Sequence, residues 1–322
     1  MKVLSGLLVF GLLACLLGIG LGAVPIAPRA VVSALLSPSA PAAAIVRDIR
    51  LPRVLLAFLV GGGLGVSGAA LQALLRNPLA DPYLMGISGG AGLAAVLAMA
   101  LGVGGAWGVP AAAFAGGLAA IGLVYRLTAV AGRRLDAWIL VLAGVVVSAF
   151  TGALMSAVLT LSTAEQLRNA FLWLLGSFSG ASWQTVVVFS AYAASPLAAL
   201  FASPRALDLL SLGEEPARAL GLDAGRARRR VYLATSLLTA ASVAVCGVIG
   251  FVGLVAPHEL RGVLGPAHRR LLPAVFLASG GFLVLADTAA RTVARPLELP
   301  VGAITALVGV PLFALLLRRS LR

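Results

Sequence analysis

The chain has 322 residues, of which 61% are hydrophobic and only 11% charged. A soluble domain carries roughly 25% charged residues, so there is too little charge here to cover a water-facing surface, and a large soluble domain is excluded. The net charge of +13 would suggest nucleic acid in a soluble protein. Here the arginines sit at the ends of apolar runs, where they report topology, and no nucleic-acid partner is expected.

Apolar runs of about 20 residues recur from end to end. They predict an all-α polytopic membrane protein, with about ten transmembrane helices in one domain spanning residues 1–322. The run 3–24 after Lys2 is longer than the apolar region of a signal peptide, so it reads as an uncleaved first crossing. Residues 25–53 form a Pro-rich loop that ends in Arg47, Arg50 and Arg53. The second crossing, 54–75, carries Gly61-Gly62-Gly63-Leu64-Gly65-Val66-Ser67-Gly68-Ala69-Ala70. Small residues at Gly61/Gly65 and Gly65/Ala69 predict close helix packing, because lipid offers no hydrophobic drive of its own.

Further crossings are expected near 85–103, 107–126 and 138–160. Residues 162–183 are amphipathic and too interrupted to span. They suit a re-entrant or interface-lying helix with Trp173 and Trp183 at headgroup level. Later crossings fall near 184–202, 231–250, 254–264 (short), 271–290 and 300–318. Cys15 and Cys246 lie inside apolar runs and read as small core residues.

With Met1 in the cytoplasm, most of the 24 Lys and Arg fall on that side, among them Arg76, Arg133, Arg134, Arg270 and Arg322. The outer set holds Arg29, Arg47, Arg50, Arg53, Arg168, Arg291 and Arg295. Excess basic charge marks the cytoplasmic face, which places both termini there. The same face then carries residues 203–230, the longest charged interval. Acids follow Gly213 and Gly221 sits where a helix would stop, so this interval predicts two short helices with a turn. It is either a solvated loop or a docking surface for a soluble partner.

Most motifs that suggest chemistry fail on context. Gly63-Leu64-Gly65-Val66-Ser67-Gly68, with Asp81 beyond it, matches a dinucleotide fingerprint but lies in an apolar run without a preceding strand. His258-Glu259-Leu260-Arg261-Gly262 lacks the second His of a zinc site, and His268 is poorly placed to replace it. Pro257 predicts a helix break before His258. Ser67 with His258 is the enzyme alternative, a dyad for intramembrane proteolysis. Lys2 is the only lysine, so no phosphate-binding P-loop exists in this chain. An ATP-driven motor, if there is one, must be another polypeptide.

Several long blocks carry a family resemblance. They are Ile49-Arg50-Leu51-Pro52-Arg53, the run from Gly65 to Pro82, Leu84 to Gly92, Leu212 to Gly221, Gly247 to His258, and Glu298-Leu299-Pro300-Val301-Gly302. Together they resemble the permeases of ABC importers for iron–siderophore, haem and cobalamin. Glu259 departs from the pattern, which usually has an apolar residue there.

The resemblance implies a permease of the bacterial inner membrane that forms a homodimer. It would work with two ATPase subunits, which bind ATP and Mg, and with an extracytoplasmic substrate-binding protein. This chain itself would hold no cofactor or metal and catalyse nothing. A coupling segment at about 205–230 would contact the ATPase through Leu212, Gly213, Glu214, Glu215, Ala217, Arg218, Leu220 and Gly221. Arg50, Arg53 and Arg291 match positions that dock the binding protein. Asn77 and Leu79 match a cytoplasmic gate. Gly144, Ser148, Gly152, Ser156 and Thr305 would line the pathway. The competing class is an ion-coupled secondary transporter, for which Asp287 is nearly the only buried carboxylate on offer.

Overall fold

A computed structural model describes residues 2–22, 24–103, 105–130 and 136–320. Arg133, Arg134 and Arg322, which entered the topology count, lie outside the described residues. The described residues form helices and no strands.

In chain order the α-helices are α1 (Lys2–Gly20), α2 (Pro28–Leu36), α3 (Leu51–Leu75), α4 (Ile87–Ala100), α5 (Gly108–Val130), α6 (Ala137–Thr160) and α7 (Ala164–Leu174). They continue as α8 (Trp183–Phe201), α9 (Pro204–Leu212), α10 (Glu214–Ala219), α11 (Ala224–Cys246), α12 (Val252–Leu264), α13 (His268–Ala290) and α14 (Val301–Ser320). A helix occupies each of the ten expected places. Among the described residues six helices are long and apolar enough to cross a membrane: α1, α3 with the π-helical turn before it, α5, α6, α8 and α13.

The starts of these helices are written locally. Asp136 accepts from the Trp138 amide at the head of α6, and Asp223 from the Arg226 amide at the head of α11. Thr163 with Gln166, and Ser182 with Thr185, close capping boxes on α7 and α8. Each satisfies amides that no earlier turn can reach. The interrupted segment 162–183 accordingly holds the 11-residue α7 rather than a crossing.

α3 is the axis of the fold. From Val60 to Leu75 every residue is buried. It packs against α13, α11, α12 and α8. The small-residue face predicted from sequence makes these contacts. A Cβ on Gly61 would come within 2.5 Å of the Ser279 carbonyl oxygen of α13, and one on Gly63 within 3.3 Å of Leu238 of α11. α1 packs on the far side of α13 and turns Leu8, Leu12, Leu13 and Leu16 outward. Such a face suits lipid.

The chain is not helical everywhere at depth. After α11 it runs without regular structure through Gly247–Gly250 before α12. This stretch meets two others. The Ser177 amide donates to the Cys246 carbonyl, the Ile249 amide to the Tyr83 hydroxyl, and the Val301 and Gly302 amides to Gly176 and Leu175. Irregular backbone at this depth is tolerated because the protein satisfies its polar groups.

Pro257 does not end a helix, contrary to the sequence reading. α12 runs through it to Leu264. The residue lies early in α12, so only one ladder hydrogen bond is lost, the one to the Gly253 carbonyl.

Candidate functional site

α3 joins two polar ends. Its 25 residues make it about 37 Å long, enough to cross a hydrocarbon core of about 30 Å. Arg50 and Arg53 stand at one end and Arg76 at the other.

At the first end, four charged side chains form one network. Arg53 grips Asp287 at 3.0 Å and also Glu298 at 3.0 Å. Asp287, almost fully buried, faces Arg291 at 3.3 Å. Arg291 donates to the Gly18 carbonyl at 2.7 Å. Arg50 donates to Ile19 at 2.7 Å, to Gly20 at 2.9 Å and to Val24. Gly18, Ile19 and Gly20 close α1, where helix carbonyls lack intrahelical partners; Gly20 also accepts from the Ile26 amide at 2.9 Å.

The three arginines matched to docking positions are partnered within this chain. Arg50 and Arg291 are buried, 6% and 5% exposed, and their guanidinium groups cap the end of α1. Arg53 sits behind Glu298, whose side chain is 46% exposed. The exposed surface here belongs to Glu298, Arg295, Leu297 and Val293. Sequence spacing could bring the arginines together, but Asp287 lies more than 230 positions from Arg53, and only the fold shows that they are partnered.

At the second end, residues 203–230 form a corner. α9 stops at Gly213 (φ 114°), α10 follows, and Gly221 (φ 81°) ends it. The two short helices were expected. The basic run Arg226–Arg230 instead belongs to α11, which begins at Ala224. Leu207, Leu210 and Ala217 are buried and fix the corner onto the helices above. Glu214 pairs with Arg218 and, at 2.7 Å, with Arg228 of α11. Leu212 and Leu220, 59% and 54% exposed, face outward with Glu215 and Arg218.

The 77–79 loop lies beside this corner. Arg76 caps α3 in a left-handed conformation (φ 51°), and its guanidinium reaches Gly213. Asn77 and Leu79 are exposed, and the Asn77 carboxamide accepts from the Leu79 amide at 2.9 Å. Asn77 also lines an open cavity of about 450 Å³ shared with Trp138 and Val141 of α6.

The pathway residues divide. Gly152 is half-buried with open space above it, Ser156 is exposed, and Ser148 is half-buried near Gly89 of α4. Gly144 is a packing residue: a Cβ there would sit 3.0 Å from the Met85 Cα. Thr305 is fully buried and donates to the Gly302 carbonyl. Neither faces open space in this chain. The outward face of α6 is apolar and bulky: Leu142, Val145, Val146, Phe150 and Leu154.

Other readings lose support on geometry. The Gly63–Gly68 fingerprint is mid-helix. The buried Ser67 hydroxyl has no hydrogen-bond partner, so no Ser67–His258 dyad is formed. No cluster among the described residues could hold a metal ion. Glu259 is simply exposed on α12. Sequence reasoning passed over two contacts: His268 with Asp208 at 2.6 Å, which ties α13 to α9, and Arg261 with Gln72 at 3.0 Å, which ties α12 to α3. The charged residues in otherwise apolar helices were the signal for both.

A helical body with several membrane-length helices, a buried axial helix and polar structure at both its ends fits a multi-pass membrane protein. The chain belongs to the FecCD transport family, whose model matches residues 8–319. Among curated proteins it is 43% identical over 282 residues to the uncharacterized ABC transporter permease protein YvrB of Bacillus subtilis, covering 86% of this chain and 80% of that one. It is 44% identical over 274 residues to the cobalamin import system permease BtuC of Halobacterium salinarum, covering 85% and 73%. It is 41% identical over 282 residues to the hemin transport system permease HmuU of Yersinia pestis, covering 85% and 83%. A solved inward-facing structure of a metal-chelate type ABC transporter matches with a TM-score of 0.86, at 31% identity, over 98% of both chains.

Proposed function

We propose that this chain is the membrane subunit of an ATP-driven importer that passes a metal chelate, of the cobalamin, haem or iron–siderophore kind, into the cytoplasm. It works as a homodimer with two ATPase subunits and an extracytoplasmic binding protein. The ATPases carry the ATP and Mg. It crosses a bacterial inner membrane about ten times, with both termini inside.

One observation carries this reading. The α9–α10 corner is braced from behind by Leu207, Leu210, Ala217 and the Glu214–Arg228 pair, yet it turns Leu212 and Leu220 to solvent. Apolar anchors ringed by Glu215 and Arg218 suit a protein partner better than water. A push on such a corner reaches α11 through Arg228 and α3 through Arg76. Gating by Asn77 and Leu79 belongs to the same proposal, because their loop adjoins the corner.

The binding protein is placed on the rim of Glu298, Arg295 and Leu297, which Arg53, Arg50 and Arg291 support from beneath. The ion-coupled alternative loses its best residue, since Asp287 is held between Arg53 and Arg291.

Cysteines at Leu212 and Leu220 test the reading. In membranes that also hold the partner ATPase they should crosslink to it, and a cysteine at Leu297 should not. Crosslinking at Leu297 alone would reject the assignment of the corner.

A further inference from the structure

A cavity of about 200 Å³ lies beside α9, and of its lining residues the transport reading uses only Arg76. Gln72 and Arg76 of α3, Ser211 of α9, Arg261 of α12 and His268 of α13 line it. No carboxylate is among its lining residues. Asp208 of α9 is already taken up by the His268 ring at 2.6 Å and the His268 amide at 2.9 Å.

The two cations on the walls are positioned in advance. Arg261 donates one N–H to the Gln72 carboxamide oxygen at 3.0 Å, and the Gln72 amide donates to the Leu254 carbonyl at 3.3 Å. That relay holds the guanidinium against the cavity wall. Arg76 closes α3 in the left-handed conformation common at helix ends, and its guanidinium lies against Gly213. Neither Arg76 nor Arg261 forms an ion pair among the described residues. Two like charges aimed at one space call for an anion between them.

We propose that this cavity binds a phosphate-class oxyanion between Arg76 and Arg261. The planar donor fork of arginine matches phosphate oxygens in pairs. A tetrahedral oxyanion fills the space of two to three waters, roughly 60–90 Å³, and fits with hydration to spare. The anion bridges the end of α3 to α12 beside Ser211 and the 77–79 loop, and so stiffens the junction. Its source is either free phosphate or the headgroup of an anionic lipid. The site stands independently of the transport reading.

The test uses the full chain in phosphate-free detergent. Inorganic phosphate is titrated at constant ionic strength and followed by calorimetry. A second sample is incubated with phosphatidylglycerol vesicles, re-extracted, and its retained lipid weighed by native mass spectrometry. The wild type should bind phosphate saturably or retain phosphatidylglycerol. Arg76→Gln and Arg261→Gln should each weaken that binding at least about tenfold. Arg168→Gln, on exposed α7, should leave it unchanged. Retention of lipid without binding of free phosphate identifies the headgroup as the source, and binding of free phosphate identifies the ion. Arg76 is exposed, so its variant remains informative even if Arg261→Gln folds poorly. Absence of both kinds of binding, or equal binding by wild type and Arg76→Gln, overturns the proposal.

Discussion

Gly68 of α3 lies directly against the backbone carbonyl of Gly253 in α12, so that a Cβ on Gly68 would overlap it. The relation is reciprocal. A Cβ on Gly253 would sit 2.9 Å from the Leu64 carbonyl oxygen, one turn back on α3. Pro257 has no amide to offer the Gly253 carbonyl, which therefore turns to its neighbour helix. Backbone contact of this kind replaces the hydrophobic drive that lipid cannot supply.

Gly68→Ala should therefore push α12 off α3. Overpacking of a tight core costs about 1–3 kcal/mol, and more where backbone rather than a side chain must move. Thermal unfolding in detergent should show a clear loss for Gly68→Ala. Gly122→Ala, where nothing lies within 4 Å, should show none. Equal behaviour of the two variants would contradict the packing account.

A second prediction concerns Asp287. It lies 1% exposed between Arg53 and Arg291. Removing one partner of a buried pair leaves uncompensated charge and costs about 3–5 kcal/mol. Asp287→Ala should destabilise the chain by that order. Asp223→Ala breaks an exposed pair with Arg226 and removes the cap at the head of α11, and should cost only about 0.5–2 kcal/mol. Arg50→Leu should also lower stability, because the Ile19 and Val24 carbonyls lose the donor that Arg50 supplies. Both acts are read by thermal unfolding. Normal melting of Asp287→Ala and Arg50→Leu would return these residues to the surface role.

The loop between α3 and α4 makes a pH prediction. Asp81 is half-buried, and burial pushes its carboxyl up to about 6, opposed by the hydrogen bond it accepts from the Tyr83 amide. A carboxyl raised on folding favours the fold most below pH 4, and that benefit is lost as pH rises through about 6. Asp81→Asn keeps the acceptor and removes the ionisation. Its melting temperature should exceed that of the wild type at pH 7.5 and match it at pH 4. A variant less stable than wild type at pH 7.5 would show that the charge is wanted.

Much of this architecture was legible in the residues. Apolar length placed ten helices, and Gly213 and Gly221 placed the α9–α10 corner, because capping and hydrophobic run length are local properties. The faces of those helices were not legible. Every side of α3 is apolar, so no periodicity separates Ser67, which is buried, from a lining position. Gly144 looks like an inward small residue but packs on Met85, and Thr305 is sealed within the chain. The partners of the outer arginines were not legible for the same reason: Asp287, Glu298 and the α1 carbonyls are close only after folding. Pro257 misled because its cost depends on where in a helix it falls.

Under the proposed function, this body moves substrate only when a separate ATPase works on its α9–α10 corner. The most direct measurement is chelate uptake into proteoliposomes, with the chain alone and with the ATPase, binding protein and ATP added. The account predicts accumulation only in the complete mixture, and its loss when Leu212 and Leu220 are both changed to Asp in a chain that still folds. Accumulation by the chain alone on an ion gradient, or undiminished ATP-driven uptake by the doubly changed chain, would contradict it.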